Sequence, residues 1–243
     1  MPKIRQRIFA FADTERDRWV AAQAASLPPG TKVLDIGAGP CRYRPLFAHC
    51  DYKSQDFCQH LGTLEGPLAE GAAWKYGAID YVSGASDIPV ESRSFDAVLC
   101  TEVLEHVIDP AAVIREAARV LKPGGALIVS APLTSGVHQE PDHYYGGFTP
   151  YWYRRVFAET GFRERAISAN GGFFKHYGQE SRRFSALLDP RRLSARTAVL
   201  VFPFWLVTLP FFRWLIPMAC HLLDRLDQHQ GFTVGYHVTA TRT

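Results

Sequence analysis

The run Val33-Leu34-Asp35-Ile36-Gly37-Ala38-Gly39 constrains the fold of this chain more than any other stretch. A short apolar strand that ends in closely spaced glycines is how an open α/β sheet enters its ligand crevice, where backbone must come close to a bound molecule. The text around it supports that architecture. Strands are expected at Lys32–Ile36, Tyr52–Phe57, Ile79–Val82, Phe95–Cys100, Ala126–Ser130 and Arg163–Ser168, with a last one from Phe232 to Ala240. Helices are expected from Thr14 to Leu27, from the Asp109-Pro110 cap to Leu121, and from Thr149 to Thr160, ended by Gly161. Residues 61–77 have no period and read as loop. Alternation of strand and helix implies βαβ units and a sheet covered on both faces.

The 243 residues suit one enlarged domain. With 47% hydrophobic and 21% charged residues the chain is globular, neither disordered nor a multi-span membrane protein. The net charge of +3 is too small to argue for nucleic acid. It is also unevenly spread: 16 basic and 19 acidic residues up to position 161, then 11 and 5 after it. The five cysteines form no CxxC pair and the N-terminus lacks the apolar run of a signal peptide, so a reducing, cytoplasmic setting is expected.

The glycine loop also limits its ligand. A dinucleotide fingerprint needs a third glycine where this chain has Arg42. Asp35, two residues before Gly37, would repel a pyrophosphate but favours an ammonium group. The ligand expected carries an amino group, a carboxylate for the helix N-terminus, and a ribose. Asp56, 17 residues beyond Gly39, is placed to accept the ribose hydroxyls.

Four motifs together resemble the class I S-adenosylmethionine-dependent methyltransferases, in the branch labelled type 11. They are Asp35-Ile-Gly-Ala-Gly39, Ser86-Asp-Ile-Pro89, the stretch from Ser94 to Val107, and Arg119-Val-Leu-Lys-Pro-Gly-Gly125. The resemblance covers roughly residues 30–170 and the final strand. It implies a doubly wound, Rossmann-like sheet of seven strands with the last antiparallel, and S-adenosyl-L-methionine as cofactor, leaving S-adenosyl-L-homocysteine. By position, Asp35, Gly37, Ala38 and Gly39 would hold the methionine part and Asp56 the ribose. Asp87 and Ile88 would flank the adenine, and Thr101 and Glu102 the sulfonium. Many relatives have Gly-Asp-Ala where this chain has Ser83-Gly84-Ala85.

After the fourth strand the chain reads Cys100-Thr101-Glu102-Val103, not the Asn/Asp-Pro-Pro-aromatic text of base-amine methylases. A hydroxyl or carbon acceptor is therefore expected. Glu102, His106 and His143 are the candidate catalytic residues, a histidine acting as base where the nucleophile must lose a proton. Glu102, Glu105 and His106 would share one face of a helix. That pattern resembles metal-dependent O-methyltransferases in which a later histidine, here His138 or His143, completes a divalent site. The metal reading is the less favoured of the two. The long segment Pro132–Pro150, rich in His and Tyr, reads as an acceptor lid.

The organisation expected is an N-terminal helical segment (1–30), a cofactor-binding core (31–172), a helical, apolar insertion (173–230) and the final core strand (231–243). The insertion opens with Arg182, Arg183, Arg191, Arg192 and Arg196, then turns apolar from Ala198 to Leu223. Arg213 and three prolines within it, and a last strand that must rejoin its sheet, argue against a bilayer span. An element lying on the inner face of the membrane and a lid or dimer contact both stay open; the oligomeric state is not legible. The function expected is methyl transfer to a small or lipid-linked acceptor, at oxygen or carbon, with no nucleic-acid partner favoured. The alternatives are an RNA or protein methyltransferase and a non-catalytic module that binds the cofactor.

Overall fold

A computed structural model describes residues 4–59 and 75–243; the loop expected over 61–77 lies outside them up to residue 74. The chain divides into two compact units, Arg16–Ser168 with Gly235–Thr243, and Met1–Glu15 with Ala169–Val234.

The first unit is the sheet: β1 (Lys32–Ile36), β2 (Asp51–Asp56), β3 (Tyr81–Val82), β4 (Phe95–Thr101), β5 (Leu121–Pro132), β6 (Phe162–Ala169) and β7 (Gly235–Arg242). Their order is β3-β2-β1-β4-β5-β7-β6. Pairs from β3 through β5 are parallel, and β7 runs antiparallel to β5 from Ala126↔Thr241 to Pro132↔Gly235. The seven strands and the reversed last strand are those the sequence implied. Strand order turns at β1 and β4, and in such sheets the crevice beyond their carboxyl ends is the ligand site.

Val33, Leu34 and Ile36 of β1 and Ala97, Val98 and Leu99 of β4 are all buried, as strands covered on both faces require. Helix α3 (Pro110–Val120) starts where expected, because the Asp109 carboxylate accepts the Ala112 N–H at 2.9 Å. It buries Val113, Ile114, Ala117 and Val120. The next strand begins earlier than expected. Leu121 is already extended and pairs with Phe95, so β5 absorbs the Pro-Gly-Gly text that reads as a turn. In α4 (Pro150–Thr160) the Thr149 hydroxyl accepts the Trp152 N–H at 3.3 Å. One expected helix is missing. The glycine loop leads only to a short 3₁₀ turn, Arg44–Phe47. Pro45 has no N–H and would clash with the Cys41 carbonyl in an α-helix, and β2 starts at Asp51.

The second unit is helical: α1 (Ile4–Phe9), α5 (Phe173–Leu187), and a long helix made of α6 (Ala195–Pro210), a π-turn (Phe211–Leu215) and α7 (Ile216–Leu223). Helix α2 (Phe11–Ser26) opens in this unit and continues into the sheet unit. No residue of α5 caps its own N-terminus. Asp224 and Asp227 do so from far along the chain, accepting N–H groups of Gly172, Lys175 and Phe173 at 2.7–3.1 Å. Within the π-turn Phe212 O has no donor five residues on, because position 217 is proline; the Ser181 hydroxyl of α5 donates there instead, at 3.0 Å. Gly178 lets α5 come that close, since a Cβ on it would lie 3.2 Å from Pro217 Cα. Trp205 Nε1 donates to Ser185 O at 3.1 Å.

The opposite side of the long helix is bare. Leu200 is 80% exposed, and Phe204, Val207, Phe211, Leu215 and Leu222 are exposed with it. Among the described residues, Ala195–Leu226 is the one helix whose length and apolar composition would suffice to cross a membrane.

Candidate active site

A cavity of about 660 Å³ lies in the sheet unit and is lined from the ends of β1, β2 and β4. Asp35, Gly37, Ala38, Gly39 and Asp56 line one part of it, and Thr101, Glu102 and His106 another. Those eight expected residues are brought together. Asp87 and Ile88 are not among the lining residues; Gly84, Ala85 and Ser86 stand there. His143 does not line it either, whereas Asp142 and Tyr144 do.

The glycine loop's donors are taken up by β2. Gly37 N–H points to Gln55 Oε1 (3.3 Å), Ala38 N–H to Gln55 O (2.9 Å), and Gly39 N–H to Asp56 Oδ2 (2.9 Å). A pyrophosphate would need those donors, and no α-helix follows the loop to supply others. Gly37 sits at φ +68°, and a Cβ there would lie 2.3 Å from Val103 Cγ2, so only glycine fits.

Asp35 is 2% exposed and accepts a hydrogen bond from the Tyr52 hydroxyl. Burial, only partly offset by Tyr52 and reinforced by Asp56, pushes its carboxyl up to about 7. Asp56 also accepts the Cys58 N–H at 3.0 Å, which fixes its carboxylate at the end of β2.

Glu102 sits at φ +53°, a left-handed conformation uncommon for a side chain of its size. Two partners hold it: Ser130 Oγ donates to Oε1 at 2.7 Å, and Arg16 Nη1 lies 3.1 Å from Oε2. The helical face expected to group Glu102, Glu105 and His106 does not form. Only a 3₁₀ turn, Leu104–His106, follows, and Glu102 stands before it. Arg16, absent from the sequence reading, lines the cavity, and its Nε donates to the Tyr43 hydroxyl at 3.3 Å. Its signal was faint, one arginine among several on a polar helix.

The histidines gather on the other side of that turn. His106 Nδ1 lies 2.5 Å from Asp142 O, and its ring centroid is 4.8 Å from that of His138 and 5.7 Å from that of His143. A carbonyl can only accept, so Nδ1 carries the proton and Nε2 is the basic nitrogen. Glu105, 1% exposed, has Oε1 3.8 Å from Nε2; burial and the nearby Glu102 hold its carboxyl well above the usual range. Burial lowers His143, and His138 adds to the effect. The 132–150 segment is tied down here: Tyr144 N–H donates to Glu105 O and Tyr145 Oη to Ile108 O, both at 2.8 Å. Its aromatics divide, with Phe148 buried against Trp152 and Tyr144 on the cavity.

Glu116 and Arg119, outside the cavity, hold the backbone that follows the lining residues Gly84, Ala85 and Ser86. Glu116 Oε1 accepts the Ile88 N–H at 2.7 Å, while Arg119 donates to Ile88 O and Val90 O at 2.9 and 2.8 Å.

Residues 34–129 match the family described as "Methyltransferase domain". The ubiquinone biosynthesis O-methyltransferase of Xanthomonas campestris pv. campestris is 37% identical over 116 residues, 46% of each chain. The demethylmenaquinone methyltransferase of Mycolicibacterium paratuberculosis is 36% identical over 113 residues, again 46% of each. The chain thus spans about half the length of the curated relatives it matches. Among solved structures, the phosphoethanolamine N-methyltransferase 2 of Haemonchus contortus with S-adenosyl-L-methionine aligns at TM-score 0.54 and 17% identity, covering 94% of this chain and 52% of that one. The [4+2]-cyclase SpnF aligns at TM-score 0.55 and 17% identity, covering 93% and 80%. At such identity these two speak for the fold alone, and one fold hosts several chemistries. Motifs, sheet order and family match converge: the chain carries a methyltransferase domain of the class I S-adenosylmethionine-dependent family.

Proposed function

We propose that the protein transfers the methyl group of S-adenosyl-L-methionine to a hydroxyl of a small, lipid-like, quinone-type acceptor. One observation carries the cofactor assignment: a buried Asp35 raised to about 7, beside a glycine loop whose N–H groups are spent on β2. Such a carboxyl suits an ammonium ion and disfavours a phosphate. In this reading Asp35 meets the ammonium group, Asp56 the ribose hydroxyls and Gly84–Ser86 the adenine edge. Arg16 takes the carboxylate, since no helix N-terminus is available for it. When bound, the cofactor supplies an electrophilic methyl on sulfur.

For a hydroxyl acceptor, the chain's part is to position the oxygen in line and remove its proton. His106 Nε2 is the base. An oxygen–carbon bond forms, the carbon–sulfur bond breaks, and the proton ends on His106 Nε2. The quinone-methylating relatives support this acceptor class.

A second reading rests on a separate observation. Glu105, His106 and His138 have potential ligand atoms within 4.8 Å of one another, and Glu105 Oε2 is buried with no hydrogen-bond partner. That donor set fits a divalent cation, which would polarise the acceptor hydroxyl.

The test is transfer of labelled methyl to hydroxylated prenyl-quinone precursors, with and without a chelator. Transfer that survives chelation and falls at least about 100-fold in His106→Ala supports the base. Loss on chelation, restored by Mg²⁺ or Mn²⁺, selects the metal. No transfer to any hydroxylated quinone rejects the acceptor class.

A further inference from the structure

We propose that the bare side of the long helix is a docking face for an anionic lipid bilayer, with the helix lying in the membrane plane. The inference goes beyond the acceptor reading and is tested without any acceptor. Leu200, Phe204, Val207, Phe211, Leu215 and Leu222 recur at three-, four- and seven-residue spacing and are all exposed, giving one stripe from α6 through the π-turn into α7. It runs about 33 Å at 1.5 Å per residue. An apolar strip that long, left in water, marks an interaction surface.

The topology excludes a single crossing. The chain leaves the sheet after β6 and returns as β7, and the two are neighbours in that sheet. One passage through a bilayer would put them on opposite sides of it.

Charge selects the occupant. From residue 182 to 213 the sequence has six arginines and one acid, Asp189, which is paired with Arg191 at 2.5 Å, while Arg183 is paired with Glu180 at 2.7 Å. Arg192 and Arg196 are exposed at the start of the helix, and exposed Arg213 can keep its charge at headgroup level while its stem lies on the apolar surface. A second copy laid parallel would set arginine against arginine. Laid antiparallel, it would offer Asp224 and Asp227, whose carboxylates are taken up by N–H groups of Gly172, Phe173, Lys175 and Gln230. Anionic headgroups suit the exposed Arg192, Arg196 and Arg213, as expected for an interfacial helix.

The test is flotation of the full chain with vesicles of phosphatidylglycerol and phosphatidylcholine, and of phosphatidylcholine alone, at low and high salt. The wild type should bind the anionic vesicles and be released by salt. Arg192→Gln with Arg196→Gln should bind about thirty-fold more weakly, near five-fold per arginine. Leu200→Ser, Phe204→Ser, Phe211→Ser and Leu215→Ser together should abolish binding while the cooperative melt stays that of the wild type. No binding at low salt, or binding unaltered by the four serines, overturns the proposal. A dimer in sedimentation velocity that those serines dissociate, without vesicle binding, assigns the face to a second copy instead.

Discussion

The sheet unit and the helical unit use apolar residues in opposite ways. In β1 and β4 they are covered on both faces and exist to hold a crevice open at the strand ends. In α6 and α7 a run just as apolar packs one side on α5 and leaves the other uncovered, with Leu200 80% exposed. Hydrophobic content therefore says where a chain avoids water, but not what replaces it. For the strands the replacement is the protein itself; for the long helix it comes from outside.

Substitutions can break this contrast or sharpen it. The largest effect is expected at Gly37→Ala, where positive φ and the Val103 contact act together. We expect a loss of more than about 2 kcal/mol of stability, and no thermal shift with S-adenosylhomocysteine. Asp35→Asn comes next and should act in two directions. Affinity for S-adenosylhomocysteine should fall at least about ten-fold by calorimetry as the ammonium loses its partner. The ligand-free protein should nevertheless melt higher at pH 8, because a buried charge is gone. The sign follows from linkage. A carboxyl raised from 3.8 to about 7 on folding contributes stability fully present below pH 3.8 and lost as pH rises through about 7. Wild-type affinity for S-adenosylhomocysteine should in turn weaken as pH drops below about 7, and the Asn variant should lose that dependence.

A smaller effect is expected at Glu116→Gln. It loosens Ile88 and the Arg119 clamp without touching the cavity, so discrimination between adenine and guanine forms of the product should drop a few-fold while the melt shifts by about 1 kcal/mol. The smallest belongs to the other unit. Val199→Ser and Leu200→Ser, both three-quarters exposed or more, should leave the melt and cofactor affinity within about 0.5 kcal/mol of the wild type. If they destabilise the protein markedly, the contrast between the units is wrong.

What could be read beforehand follows the same divide. Strand text, glycine loop and Asp109 cap were legible because each is dictated by neighbours in sequence, whereas the reversed final strand was implied by the family resemblance. The absence of an α-helix after Gly39 was half readable, since Pro45 cannot sit inside a helix that starts at the loop, although a helix N-terminus was expected there. Arg16, Tyr52 and Glu116 were not legible: each acts on a partner 17 to 86 residues away, and nothing local marks an arginine that meets a glutamate across a fold. The cluster of His106, His138 and His143 was half visible. The sequence supplied the residues, and only the 132–150 segment's attachment to Glu105 and Ile108 brings them together.

The place of β7 has a bearing on synthesis. It lies between β5 and β6, yet it is made after the whole helical unit. While the ribosome is still producing residues 195–223, the growing sheet has a gap one strand in from its edge, and β6 has no lasting partner in it. The apolar helix thus emerges before the sheet that flanks it in sequence can be completed. A surface able to shelter that helix at this stage would act on the nascent chain as well as on the finished protein. Slow translation through the codons for residues 224–243 would then change how much of the protein matures on a membrane rather than in solution.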